Sequence, residues 1–187
     1  MSHRYGMAPL IRGTLVLLYL ALVLPLPALA PSGLQPWLLG ALPVGLLLVL
    51  AISSERVELD DTGLSLSHPA WCRWWLRRGW QLPWERITGL TPVATSQGGR
   101  VFYLRTSTGT GGAGTSLLLP QRLERFDDFL ARFGRRTGLD TGSIGRISPA
   151  WTYQLLAALS ALMVAAELAA GWAIATGRWV FPPGLVP

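Results

Sequence analysis

Residues Ala150–Thr176 read AWTYQLLAALSALMVAAELAAGWAIAT, an apolar run holding a single charge, Glu167. As an α-helix rising 1.5 Å per residue it covers about 40 Å, more than the roughly 30 Å of a bilayer core. Two earlier stretches, Thr14–Ala30 and Trp37–Ile52, have the same character, the second only just long enough. Nearly all the charge lies between the second stretch and the third. The sequence therefore predicts a membrane protein of class α+β, with three transmembrane helices and one polar block inserted between helices 2 and 3. The boundaries are an N-terminal hairpin over residues 1–53, the block over 54–140, a linker over 141–149, the third span over 150–176 and a short tail over 177–187.

Only the block is long enough to bury a core of its own, so one soluble domain is the limit. All 16 basic residues of the 187-residue chain are arginine, and the block with its linker, residues 53–149, carries 13 of them against 9 acids. Arginine binds phosphate and carboxylate groups through both oxygens, and a basic domain tethered to a membrane suits an anionic leaflet or an acidic partner. No nucleic-acid-binding motif is present. Cys72 is the only cysteine, which excludes an internal disulfide.

Arg4 and Arg12 precede the first span, the link Pro31–Pro36 is uncharged, and the arginine-rich block follows the second span. The positive-inside rule then places the N-terminus and the block in the cytoplasm and the C-terminus, with Arg178, on the opposite side. Ala28-Leu29-Ala30 also fits a signal-peptide cleavage site, with Pro31 an unfavourable residue after the cut. The block lies on the same side in either case. Pro25 and Pro27 shape the end of the first span, and Pro43 interrupts the donor pattern of the second.

Within the block, Arg56–Asp60 and Leu64–Ser67 alternate around Asp61-Thr62-Gly63, which predicts a β-hairpin with Gly63 in a positive-φ turn position. Trp80, Leu82 and Trp84 alternate and predict a strand running on towards Ile87. Arg100–Thr106 and Thr115–Leu119 predict two more. The period then changes. Leu123, Phe126, Leu130 and Phe133 recur at helical spacing beside Phe129, and Asp128 and Arg132 form an i, i+4 pair, with Gly134 or Gly138 to end the helix.

The hairpin, Trp84-Glu85-Arg86-Ile87, the strand Val101–Thr106, the strand ending Leu117-Leu118-Leu119-Pro120 and the Phe126/Phe129/Phe133 helix together resemble the bacterial pleckstrin-homology-like (PH-like) domains over about Glu55–Gly138. The resemblance implies a partly open antiparallel β-barrel closed by a C-terminal helix, in a bacterial inner or plasma membrane or an internal membrane. It also implies a binding or self-associating role without catalytic residues. Two spans ahead of such a domain resemble the layout of the photosystem I assembly factors of cyanobacteria and plastids, from which the third span departs. The leading expectation is a non-enzymatic scaffold for a membrane-protein partner or for a homo-oligomer, with no cofactor. A module binding anionic lipid headgroups and a small transport or proton-handling subunit are the alternatives.

Two features carry candidate chemistry. In Trp71, Arg73, Trp74, Trp75, Arg77 and Arg78, tryptophans suited to the membrane interface alternate with arginines able to reach phosphates. The same tryptophans equally fit the core of a small barrel. Glu167 is the second feature: a carboxylate within a bilayer is costly, and it reads either as a functional candidate or as a protonated or interface-reaching side chain. Ala157, Ala161, Ala165 and Ala169 form a small-residue stripe. If that stripe packs on the protein's own spans, Glu167 faces another subunit, another protein or lipid. Gly109–Gly114 matches G-x-G-x-x-G but precedes a strand, so it reads as a hairpin loop. His3 and His68 are too few for a zinc site or a Ser–His–acid set.

Overall fold

The computed structural model describes residues 2–76, 79–94, 100–107, 116–145 and 149–179. They form two compact units. One comprises residues 1–9 and 54–149, the other 10–53 and 150–187.

The first unit holds two antiparallel sheets and one helix. The first sheet has strand order β1 (His3–Gly6), β2 (Arg56–Leu59), β3 (Gly63–Ser67) and β4 (Trp80–Pro83). The second has order β5 (Ile87–Ala94), β6 (Arg100–Thr106) and β7 (Ser116–Leu118). The helix, numbered α4 in chain order, spans Phe126–Thr137. Its apolar stripe seals the core as its spacing predicts: Leu123, Phe126, Phe129, Leu130 and Phe133 are buried together with Val57, Leu59, Leu64, Phe102 and Leu104. Phe126, Phe129 and Phe133 stack at 6.1 Å intervals. Gly138 ends the helix at φ 70°, a left-handed position that glycine adopts without steric cost.

The N-terminal residues, assigned from the sequence to the membrane hairpin, form part of this sheet instead. Arg4 pairs with Glu58 and Tyr5 with Val57 across β1 and β2. Gly6 O accepts from Glu124 N and Ala8 N donates to Arg122 O, each at 2.9 Å, so the segment is hydrogen-bonded on both edges. Tyr5 is 1% exposed, meets the Phe129 ring edge-on at 5.6 Å and donates from its hydroxyl to Asp128 Oδ2 at 2.7 Å. Strands β1 and β2 flank the first two spans, so residues 3–6 and 56–59 share one side of any membrane those spans cross.

Two turns differ from expectation. The β2–β3 turn is built by Asp60, whose Oδ1 accepts from Thr62 N at 2.8 Å and Gly63 N at 2.7 Å. Gly63 is required for a different reason from positive φ: a Cβ there would run into the backbone carbonyl of Leu82 on β4. The strand from Trp80 does not reach Ile87. It ends at Pro83, a 3₁₀ turn over Trp84–Arg86 follows, and the chain crosses to the second sheet as β5. Pro92 is tolerated in β5 because that strand lies at a sheet edge.

The second unit holds α1 (Pro9–Val23), α2 (Leu26–Leu29), α3 (Gln35–Ile52) and α5 (Ala150–Ala175). Among the described residues, three segments are long and apolar enough to cross a membrane: Pro9–Leu29, Gln35–Ile52 and Ala150–Ala175. The first begins at Pro9, ahead of Thr14, since proline suits a helix's first position and an exposed Arg12 can reach outward along its stem. Pro25 separates α1 from α2, whereas α3 continues through Pro43. Helix α1 bonds to both other spans. Thr14 Oγ1 lies 3.2 Å from Tyr153 O, and the Tyr19 hydroxyl donates to Leu42 O at 2.7 Å.

Candidate functional site

Pro69 to Leu76 form a compact turn in which Arg73 N donates to Pro69 O at 3.0 Å and Leu76 N to Cys72 O at 2.9 Å. Cys72 points inward and is buried. Its Sγ lies 3.4 Å from Ser54 Oγ. The residues around it point outward: Trp71 is 50% exposed, Trp74 83% and Trp75 51%. Trp74 and Trp75 stack at 6.5 Å, and Trp74 Nε1 donates to Trp71 O at 3.1 Å. Trp80 and Trp84 turn the other way and pack on the core, and Trp84 Nε1 donates to Asp60 O at 3.0 Å. The tryptophans thus divide into three on the surface and two against the core. Arg73 is exposed, while Arg77 and Arg78 lie outside the described residues.

Ser54, the hydrogen-bonding neighbour of Cys72, follows Ile52, the last residue of α3, by two positions in the sequence.

Beside the turn is a concavity of about 530 Å³ whose lining includes Ser65, Ser67, His68, Arg73, Trp74 and Gln81. Strand alternation produces its floor: Leu64 enters the core, while Ser65 and Ser67 face the other side of β3. Ser65 stands opposite Gln81 on β4. On its other flank Ser65 faces Glu58, which is bridged to Arg4 at 2.8 Å. His68 Nδ1 is buried without a hydrogen-bond partner among the described residues. Nearby, burial raises the pKa of Glu55, opposed by the charges of His68 and Arg122. The sequence reading overlooked Ser65, Ser67 and Gln81 as site residues. Their period-2 placement opposite the apolar positions was the available signal.

A second concavity, of about 470 Å³, is lined by His3, Asp60, Asp61, Trp84, Arg132, Arg135 and Arg136. Its charges are largely committed within the protein. Arg132 pairs with Asp128 at 3.0 Å, its Nη1 lies 2.9 Å from His3 Nε2, and Arg136 pairs with Asp61. Hydrogen bonds from Arg132 and from the Tyr5 hydroxyl hold the Asp128 carboxyl below its ordinary pKa.

Glu167 lies on the half-buried face of α5 formed by Tyr153, Ala157, Ser160 and Val164. Ser160 on that face is buried, and one Glu167 carboxylate oxygen is buried with no hydrogen-bond partner among the described residues. Ala161, Ala165 and Ala169 are exposed. Three of the four stripe alanines therefore lie on the exposed side of α5, while Ala157 and Glu167 lie on its half-buried side. The reason is geometric: successive i+4 steps drift by about 40° on a helix with 100° per residue, whereas alternating steps of three and four hold one face. Among the described residues no group of three or more His, Cys, Asp or Glu side chains is placed to hold a metal ion. Gly109–Gly114 and Thr115 lie outside the described residues.

No family model matches the chain, and no solved structure matches it. Over 184 residues it is 35% identical to a protein of Synechocystis sp., the uncharacterized protein slr0269. The alignment covers 96% of this chain and 88% of that protein.

Proposed function

This chain belongs to one protein family with Synechocystis slr0269, and from that premise we propose that it is a non-enzymatic membrane adaptor. Its PH-like domain faces the cytoplasm and holds a membrane-protein partner or a second copy of the chain, in the manner of an assembly factor for a membrane complex. Four strands, then three, then one helix sealing the core support the PH-like reading. The arginine distribution supports the cytoplasmic side. The observation that carries the proposal is the threading of the chain. The domain takes β1 from before the first span and its remaining strands from after the second, and the third span follows its helix. Three chain connections join it to the helical segments, where a module on a single tether would have one.

The test is gentle detergent extraction of the protein at native abundance, followed by size analysis and mass spectrometry. A defined complex larger than the protomer is the expected result. A protein that travels alone contradicts the proposal. A second reading, contact with anionic lipid through the Trp71–Trp75 turn, is favoured by the exposure of its three indoles, since tryptophan is enriched where apolar and wet surroundings meet. A third, proton handling through Glu167, is favoured by its oxygen, unpartnered among the described residues, on the half-buried face of α5. It requires Glu167→Gln to abolish proton flux into proteoliposomes while leaving assembly intact.

A further inference from the structure

We propose that the concavity between the Trp71–Trp74 turn and the outer face of β3 and β4 is a binding site for the phosphate-bearing headgroup of an anionic lipid. The inference rests on the reading of the domain as membrane-anchored, and it turns general surface contact into a defined site. Its volume, about 530 Å³, falls within the range of small-ligand pockets. Its polar groups are donor-rich. Arg73 supplies a guanidinium with no ion pair among the described residues, and Ser65, Ser67 and Gln81 supply hydroxyl and amide groups with no side-chain hydrogen bonds. Among the described residues no carboxylate lines it. Glu58, beside Ser65, is already engaged by Arg4.

The chemistry divides by residue. Arg73 donates to phosphate oxygens, because a charge-assisted hydrogen bond is roughly twice as strong as a neutral one. Ser65, Ser67 and Gln81 exchange hydrogen bonds with hydroxyls of a glycerol or polyol headgroup. The exposed face of Trp74 covers the headgroup's carbon atoms. The exposed indoles of the turn select a lipid over a soluble phosphate, because tryptophan suits the headgroup layer. A free phosphate has one arginine here and no use for the hydroxyl floor.

The experiment uses the full chain in nanodiscs containing equal amounts of phosphatidylglycerol and phosphatidylcholine. Native mass spectrometry counts the lipids retained on release. Wild type is expected to retain phosphatidylglycerol preferentially, and Arg73→Ala to reduce that preference about tenfold, the worth of one hydrogen bond to a charged group. Ser65→Ala with Ser67→Ala reduces it several-fold. Arg86→Ala, an exposed change outside the site, leaves it unchanged. Millimolar inorganic phosphate does not displace the lipid. Equal retention by wild type and Arg73→Ala overturns the proposal. Displacement by inorganic phosphate overturns it too, by making the site one for free anions. An acidic polypeptide retained there in place of lipid also overturns it. Loss of the co-purifying complex with lipid retention intact strikes the adaptor reading alone.

Discussion

Replacing Tyr5 with alanine removes a buried ring from the core of a domain whose first strand precedes, in the sequence, the two apolar helices that its other strands follow. Tyr5 meets Phe129 edge-on, accepts the Arg125 guanidinium over its face at 5.7 Å and bonds to Asp128. Truncation of a buried aromatic side chain to alanine costs about 3–5 kcal/mol. For a domain of this size each kcal/mol lowers the melting temperature by about 4–8 °C, so a fall of about 20 °C is expected. Tyr5→Phe keeps the ring and loses only the hydroxyl bond, so its fall is less than half as large. The assay is thermal unfolding of the detergent-solubilised full chain, followed by near-ultraviolet circular dichroism. An exposed N-terminal tail would tolerate Tyr5→Ala within about 0.5 kcal/mol. A melting temperature within about 3 °C of wild type would refute the placement of β1 in the sheet.

Other outcomes follow from the same contacts. The Tyr5 hydroxyl is pushed up to about 12 by burial and by its bond to Asp128, so its stabilising contribution is present below pH 10 and is lost as pH rises from 10 to 12. Asp128 is shifted the other way: its contribution is present above the ordinary carboxylate range and is lost as acid titrates its lowered pKa, an acid limb that Asp128→Asn flattens in urea midpoints measured against pH. Gly63→Ala loses more than about 1 kcal/mol because rigid backbone blocks the new methyl group, whereas Gly89→Ala, with open space around it, changes the urea midpoint little. Equal midpoints for the two variants would contradict the packing of β3 on β4.

The sequence displayed the parts of this fold that local periodicity writes down. The three apolar runs, the Asp60–Gly63 hairpin and the phenylalanine stripe of α4 each carry their own repeat, and each is present. Two strands escaped notice for physical reasons. His3–Gly6 is only four residues long, and its pairing partner is some fifty residues away across two spans. Ile87–Ala94 contains Gly89 and Pro92, residues that normally punctuate strands and are tolerated at a sheet edge. The tryptophans of Trp71–Trp84 fit neither period because they belong to two structures, a turn wrapped around Cys72 and a strand facing the core. Glu167 was legible as an oddity, but its direction was not, since the packed face of α5 follows alternating three- and four-residue steps rather than the alanine stripe.

The most direct test of the account is a cross-link between the segment before the first span and the strand after the second. Arg4→Cys and Glu58→Cys, in a Cys72→Ser background, place two thiols at directly paired positions of β1 and β2. Glu58→Cys with Ser65→Cys, paired across β2 and β3, serves as the positive control. In oxidised membranes the account predicts that the Arg4/Glu58 pair forms an intramolecular disulfide to the same extent as the control. A control that closes while the Arg4/Glu58 pair stays reduced would contradict a domain assembled from both sides of the membrane hairpin.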